Sequence, residues 1–359
     1  MRSIRYGLFL ALAVTWLSAP PSAADGRVPI YAAGTVISQP GHYVLTRNLL
    51  STGATPGVEI AAPRVELDLN GFTIDANGNR GVLVSFGNDV KIRNGAITGA
   101  DVGVEIPGLG GGHAVIEDLR ITGPSSAGIR AIGLETIAIR RVLVHLSTGD
   151  GIRIDGGGGL VQTRIEGCQI ERVSGIGIAI VGARGIGVVD NLVGVVSGEG
   201  IRIDSATGGE IRGNRVTAAG GTGGIAVVSA RGMTIAANVV AECRSHGIRV
   251  GATSSEIHLL ENFSTLNGSG PGWGDGIRLE GLSAIVDGNV VTGNNGLGLH
   301  LAASGGYHTL GRNRASGNQN LAGQACGGAP ALFPPNSCND GVGGFTTFGD
   351  NLIPGPPLF

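Results

Sequence analysis

The chain has 359 residues, a formal net charge of −2 and a single lysine, Lys91, among its 25 basic residues. That balance excludes the basic stripe a nucleic-acid binder needs to offset phosphate charge. With 67 glycines, eight phenylalanines and two tryptophans, it lacks the large aromatics of an ordinary globular core and favours small and β-branched residues, which suit a narrow, regularly stacked interior.

Residues 1–24 read as a secretory signal peptide. Arg2 and Arg5 give a positive start, residues 7–17 an apolar core, and Ser22-Ala23-Ala24 a small-residue cleavage site. The mature chain is expected to begin near Asp25, in a secreted or periplasmic location. The apolar core is short for a bilayer span, and no later stretch approaches about 18 unbroken apolar residues, so no membrane insertion is expected after cleavage. A retained N-terminal anchor is the alternative. Residues 25–51 precede the first full coil and are expected to cap the N-terminal end.

From residue 52 to 320 the chain keeps returning to glycine followed by an apolar-x-apolar triplet. The anchors are Gly57, Gly81, Gly103, Gly128, Gly151, Gly177, Gly200, Gly224, Gly247, Gly276 and Gly298, about 24 residues apart. Within each triplet the outer residues are apolar and the middle one is often Arg, Glu or His, the period-two alternation of a strand with one buried face. A second strand follows, as at Val90-Lys91-Ile92, Ala138-Ile139, Glu210-Ile211, Thr234-Ile235 and Ala284-Ile285-Val286. A polar turn and a third short run come next, as at Val239-Val240 and Val290-Val291. The pattern predicts an all-β fold: a single-stranded, right-handed parallel β-helix, a solenoid of about eleven coils, forming one domain. A leucine-rich horseshoe would need a leucine consensus, and a calcium-binding roll a nine-residue period. Neither is present.

The turn between second and third strands carries Asn191, Asn214, Asn238, Asn262, Asn289 and Asn313. Stacked, their amides are expected to bond from coil to coil. Cys168 and Cys243 lie about three coils apart, roughly 14 Å at the usual strand spacing and beyond disulfide reach, so they read as buried apolar residues. Residues 321–359 lose the triplet, gain proline and read as a C-terminal cap, where Cys326 and Cys338 enclose a short loop that a disulfide could staple.

Three segments carry a family signature: Pro40-Gly41-His42-Tyr43-Val44-Leu45, then Val65-Glu66-Leu67-Asp68-Leu69-Asn70-Gly71-Phe72, then Ile92-Arg93-Asn94-Gly95. On these residues the chain resembles exported bacterial right-handed β-helix repeat proteins of the pectin-lyase-like superfamily. The resemblance covers roughly residues 34–320. It implies the fold directly and carbohydrate as the partner, since better-understood members cleave, epimerise or bind polysaccharides. Polygalacturonase-like members use an Asn-x-Asp, an Asp-Asp pair, a Gly-His-Gly and an Arg-x-Lys. This chain has Ser245-His246-Gly247, no Asp-Asp pair and no lysine after Lys91, which argues against hydrolysis. The tyrosine and Asp-Pro-His elements expected of a mannuronan epimerase are absent too.

Outward residues of successive coils form columns about 4.8 Å apart, a ruler for a linear polymer. Immediately before the anchor glycines stand Asp150, Glu199, His246 and Asp275. The outward middle position holds Arg153, Arg202, Arg249 and Arg278, with His300 on the next coil. His246, Asp275, Arg249 and Arg278 are the candidate catalytic residues, and Arg202, Glu199, Trp273 and His300 the candidate substrate-binding ones. An arginine would neutralise a uronate carboxylate while His246 or an arginine takes the adjacent proton and Asp275 orients the base, a lyase-type elimination. Two plainer readings stay beside this one. The Asp/Glu–Arg pairs serve equally as solvated surface pairs, worth about 0 to 1 kcal/mol each, and His246 as a solitary surface histidine. Trp273, in an insertion before Asp275, is equally suited to stacking on a sugar or to covering apolar coil surface. Asp155, Asp204 and Glu280 border the same sheet and are oxygen donors of the type calcium takes, but the sequence shows no compact cluster, so no metal or cofactor is assigned.

The functional expectation is a secreted monomer that binds, and in the lyase-type reading modifies, an acidic polysaccharide along this face. The alternative is a non-catalytic structural or adhesion module of the cell envelope.

Overall fold

The computed structural model describes residues 26–108, 111–157, 161–270, 274–301, 307–318 and 346–347. Residues 1–24, Trp273, Cys326 and Cys338, with the signal peptide, stacking and disulfide expectations they carry, lie outside this set.

The anchor triplets form one parallel sheet of twelve strands, from Thr35–Ile37 through Ile201–Asp204 and His246–Val250 to Leu299–Leu301. The second and third strands of each coil make two further columns. The long strands Val90–Thr98 and His113–Thr122 run through the corner between these columns, so both belong to a single 24-stranded sheet. Every strand pairs with its equivalent one coil away, and Gly200, Gly224 and Gly247 occupy adjacent layers. The molecule is the predicted parallel solenoid, all-β among the described residues.

The interior follows from the alternation. Ile129, Ile152, Ile178, Ile201, Ile225, Ile248 and Ile277 stack as one fully buried column, each β-branched side chain packed on its copy in the next coil. The anchor glycines have a cause the sequence did not disclose. None has a positive φ, so corner geometry does not require them. The coils instead approach so closely that a Cβ at Gly103 would lie 2.5 Å from the carbonyl oxygen of Gly128, and one at Gly200 2.7 Å from that of Gly224. Glycine here is a condition of stacking.

The asparagine ladder forms as expected. From Asn191 to Asn289, each backbone N–H and side-chain amide donates to the Oδ1 of the next asparagine at 2.9–3.1 Å. A second ladder at the following corner, Asn267, Asn294 and Asn318, was not anticipated. Both buried cysteines head a ladder: the N–H of Cys168 donates to Asn191 and that of Cys243 to Asn267. Burial pushes both thiols up to about 11, as expected of inert apolar residues.

Asp68, inside the family signature, is a structural hub. Its carboxylate accepts from the N–H of Asn70 and the amide of Asn94, and pairs with Arg27 and Arg93. Residues 25–51, expected as a cap, already carry strands in coil register: Thr35–Ile37 pairs with Val58–Ala61, and Gly41–Leu45 with Val65–Asp68. This end is therefore closed by a coil, one that has Gly34 before its strand as Gly57 stands before the next, but Thr35 in place of the first apolar residue of the triplet.

Candidate functional site

The outward middle column of the twelve-stranded sheet reads, coil by coil, Glu59, Leu83, Glu105, Arg130, Arg153, Ala179, Arg202, Ala226, Arg249, Arg278 and His300. Arg153 contacts Asp150 at 3.2 Å and Arg202 contacts Glu199 at 3.7 Å, so the surface pairs expected from sequence do form.

The position before the anchor glycine behaves differently from expectation. Glu199 and Asp275 are buried, and Asp150 and His246 are only partly exposed. The reason lies in the corner, where an amide of the next coil needs an acceptor. Asp150 accepts the N–H of Ile176 at 2.8 Å, Asp275 that of Leu297 at 2.9 Å, and Glu199 the hydroxyl of Thr222 at 2.9 Å. His246 does the same with a ring nitrogen: its Nδ1 accepts the N–H of Asp275 at 3.0 Å. It is not a solitary surface histidine, being only 13% exposed.

Around Asp275 the structure gathers three of the other predicted residues. Its Oδ2 lies 2.8 Å from His300 Nδ1, 3.4 Å from His246 Nδ1 and 3.5 Å from Arg278. The hydrogen bonds fix the tautomers. His300 donates Nδ1–H to Asp275, leaving Nε2 with a free lone pair. His246 accepts at Nδ1, so its proton sits on Nε2. The 3.3 Å approach of Arg278 to His300 Nδ1 is then two donors converging on one carboxylate. Arg249 joins through Glu280, which takes Arg249 Nη2 at 3.0 Å and Arg278 Nε at 2.6 Å. Glu280 was visible from sequence only as a metal candidate. Glu199 and Arg202 pair with each other two coils from His246, roughly 9.6 Å away, and take no part in the cluster. Asp155 and Asp204 are separated by Val181 in their column, and no metal-holding group of acids, histidines or cysteines occurs among the described residues.

Burial raises the Asp275 carboxyl, but the hydrogen bond and charge of His300, with His246 and the Leu297 amide, outweigh it and hold the group below the usual range. Burial pushes His246 down to about 4; Asp275 opposes this, and Arg278, Arg249 and His300 add to it. A depressed histidine refuses a proton that the unfolded chain accepts, so stability falls as pH falls from about 6.5 toward about 4. Denaturant melts at pH 8 and pH 5 are expected to differ by roughly 2 kcal/mol from this group. His246→Gln keeps an acceptor for the amide and should flatten the difference; an unchanged slope would exclude His246 as its source.

The family model for the right handed beta helix region matches residues 108–264 and 162–319. No curated protein matches the chain. Among solved structures it is similar to the Agl-KA catalytic domain, with 12% identity, 91% of this chain and 63% of that one covered, and a TM-score of 0.54. It is also similar to the enzymatically active domain of tailspike protein 2 of bacteriophage CBA120, with 12% identity, coverage of 77% and 43%, and a TM-score of 0.44. A third is the A-module of mannuronan C-5 epimerase AlgE6 from Azotobacter vinelandii, with 16% identity, coverage of 89% and 92%, and a TM-score of 0.40. The chain thus spans less than half of the tailspike chain's own length. At these identities the likeness is one of fold. The two family matches overlap, span more than half of the chain and fall on coils whose strands stack in register, so the chain belongs to the right-handed β-helix family.

Proposed function

We propose that the outward face of the twelve-stranded sheet binds a linear acidic polysaccharide along the solenoid axis, and that the His246–Asp275–His300 cluster performs a lyase-type elimination on one of its uronate units. The observation that carries this is one buried aspartate ordering two histidines into opposite tautomers, His300 through its carboxylate and His246 through its backbone N–H. His300 Nε2 removes the proton from the carbon next to the uronate carboxylate. The electron pair left behind forms the carbon–carbon double bond as the glycosidic C–O bond breaks. The departing oxygen takes the proton back from His300, whose transient positive charge Asp275 stabilises. His246, held neutral, donates a hydrogen bond from Nε2–H without giving up its proton. Arg278, beside His300, balances the uronate charge. The reading places the protein outside the cytoplasm, where residues 1–24 would direct it.

A second reading, a non-catalytic adhesion or structural module, has its own support. The acceptor role of His246 and Asp275 toward the next coil recurs at Asp150 in a coil without histidine. The two are separated by incubating the protein with pectate, alginate and glycosaminoglycans, following both binding and the ultraviolet absorbance of unsaturated uronates. On the lyase-type reading His300→Ala abolishes product while binding persists, a loss of about 100-fold or more. Binding without product from the unmodified protein would leave the module reading. Indifference to every polymer would end the proposal for the face as a whole.

A further inference from the structure

Most outward arginines follow a rule from which two depart: Arg130, with Ala127 and Ile132 at the positions flanking it, and Arg249. Arg153 stands between Asp150 and Asp155, Arg202 between Glu199 and Asp204, and Arg278 between Asp275 and Glu280, two carboxylates for each guanidinium. Around Arg249 the same two positions hold His246 and Gly251. That coil presents a cation with no carboxylate of its own. Its guanidinium turns to the neighbouring coil and grips Glu280 with two nitrogens, Nη2 at 3.0 Å and Nε at 3.4 Å, while Arg278 Nε holds the same carboxylate at 2.6 Å. A single acid thus lies between two arginines from adjacent coils, whose positions are in direct register. Side-chain exposures of 33% for Arg249 and 29% for Arg278 leave both open to solvent.

Two guanidiniums closing on one carboxylate form a planar, bidentate anion site. The two acids nearby differ in how they are held. The Asp275 carboxylate is fixed by a backbone amide and His300, whereas among the described residues the hydrogen bonds of the Glu280 carboxylate come from the two arginines. We propose that Glu280 holds the place of the ligand's carboxylate: Arg249 and Arg278 are the uronate-carboxylate subsite, filled in the free protein by the chain's own acid, which the polymer displaces. This rests on the reading of the face as a polysaccharide site and adds the means by which that site is kept closed. Exchange of one carboxylate for another conserves charge, so affinity for a polyanion is restrained while neutral polymers gain nothing from the arginines.

The test compares the full chain with Glu280→Gln, and with Asp155→Asn as a control that removes the same charge from the same face without touching either arginine. Binding to polygalacturonate and to an uncharged polysaccharide is measured at two salt concentrations. Glu280→Gln is expected to bind polygalacturonate about tenfold tighter, with a steeper salt dependence, and the uncharged polymer no better. Asp155→Asn should gain less than about twofold. Equal or weaker binding of polygalacturonate by Glu280→Gln, or an equal gain in the control, overturns the proposal. If neither protein binds any polymer, the polysaccharide reading has failed, and thermal melts with free galacturonate decide the subsite separately. A rise in melting temperature for Glu280→Gln that is absent from Glu280→Gln combined with Arg249→Ala upholds it; no rise overturns it. Should Glu280→Gln not fold, Glu280→Asp keeps the charge but is one methylene shorter, so its grip on both arginines weakens. A gain of about threefold in polygalacturonate binding is then expected, and none would overturn the proposal.

Discussion

Replacing Asn238 with alanine is expected to destabilise the solenoid by about 3–5 kcal/mol. Asn238 is fully buried, and its side chain serves three coils. Its amide donates to the carbonyl of Ile211 at 2.8 Å and to Asn262 Oδ1 at 3.0 Å, and its Oδ1 accepts both the N–H and the amide of Asn214 at 2.9 and 3.0 Å. Alanine takes the acceptor from the N–H and side-chain amide of Asn214 and one donor from the carbonyl of Ile211, in a space too confined for water to replace them all. The same substitution at Asn191 should cost about half as much, because Cys168 has no side-chain amide and sends only its backbone N–H to Asn191. Guanidinium melts of both variants check this, and hydrogen exchange should show protection lost first in the coils around residues 211–262 of Asn238→Ala, since contacts in a solenoid are between neighbours. Equal costs at the two positions would show that the asparagines act singly and not as a ladder.

Asp275→Asn should abolish turnover by about 10³–10⁴-fold while leaving polymer binding in place. The amide keeps an oxygen for the N–H of Leu297 but turns an NH2 toward His300, where a donor already sits. His300 must then accept at Nδ1 and carry its proton on Nε2, which removes the base by changing the tautomer and not the position. The measurement is product formation beside nitrogen chemical shifts of the His300 ring. An unchanged rate, or an unchanged tautomer, would show that Asp275 serves only the corner.

The fold was legible because stacking imposes the same demand on every coil. The anchor glycines and the six asparagines recur at a fixed interval, and a periodic cause leaves a periodic trace. The second ladder escaped notice because it has only three members, Asn267, Asn294 and Asn318, with Cys243 ahead of them satisfying the same turn by its backbone alone. The first coil escaped because Thr35, and not an apolar residue, follows its glycine, Gly34. For the site, position in the repeat placed His246, Asp275, Arg278 and His300 on neighbouring coils. It did not show that Asp275 turns inward to accept an amide, bonding His300 through its carboxylate and His246 through its backbone N–H. The bond from Arg249 to Glu280 lay deeper still, because it depends on two residues missing from the coil that holds Arg249.

From Val82–Phe86 onward the anchor sheet keeps one register, so a coil can be treated as an exchangeable cassette. What distinguishes residues 246–251 from their neighbours is side chains at two outward or corner positions, with the backbone path conserved. The proposed patch is therefore portable in principle: His and Gly written in place of Glu199 and Asp204 would set another arginine without carboxylates of its own two layers earlier, and carboxylates restored at His246 and Gly251 would erase that of Arg249. A lineage built on such a scaffold can move or multiply its points of contact along a polymer by copying layers, without inventing a new fold.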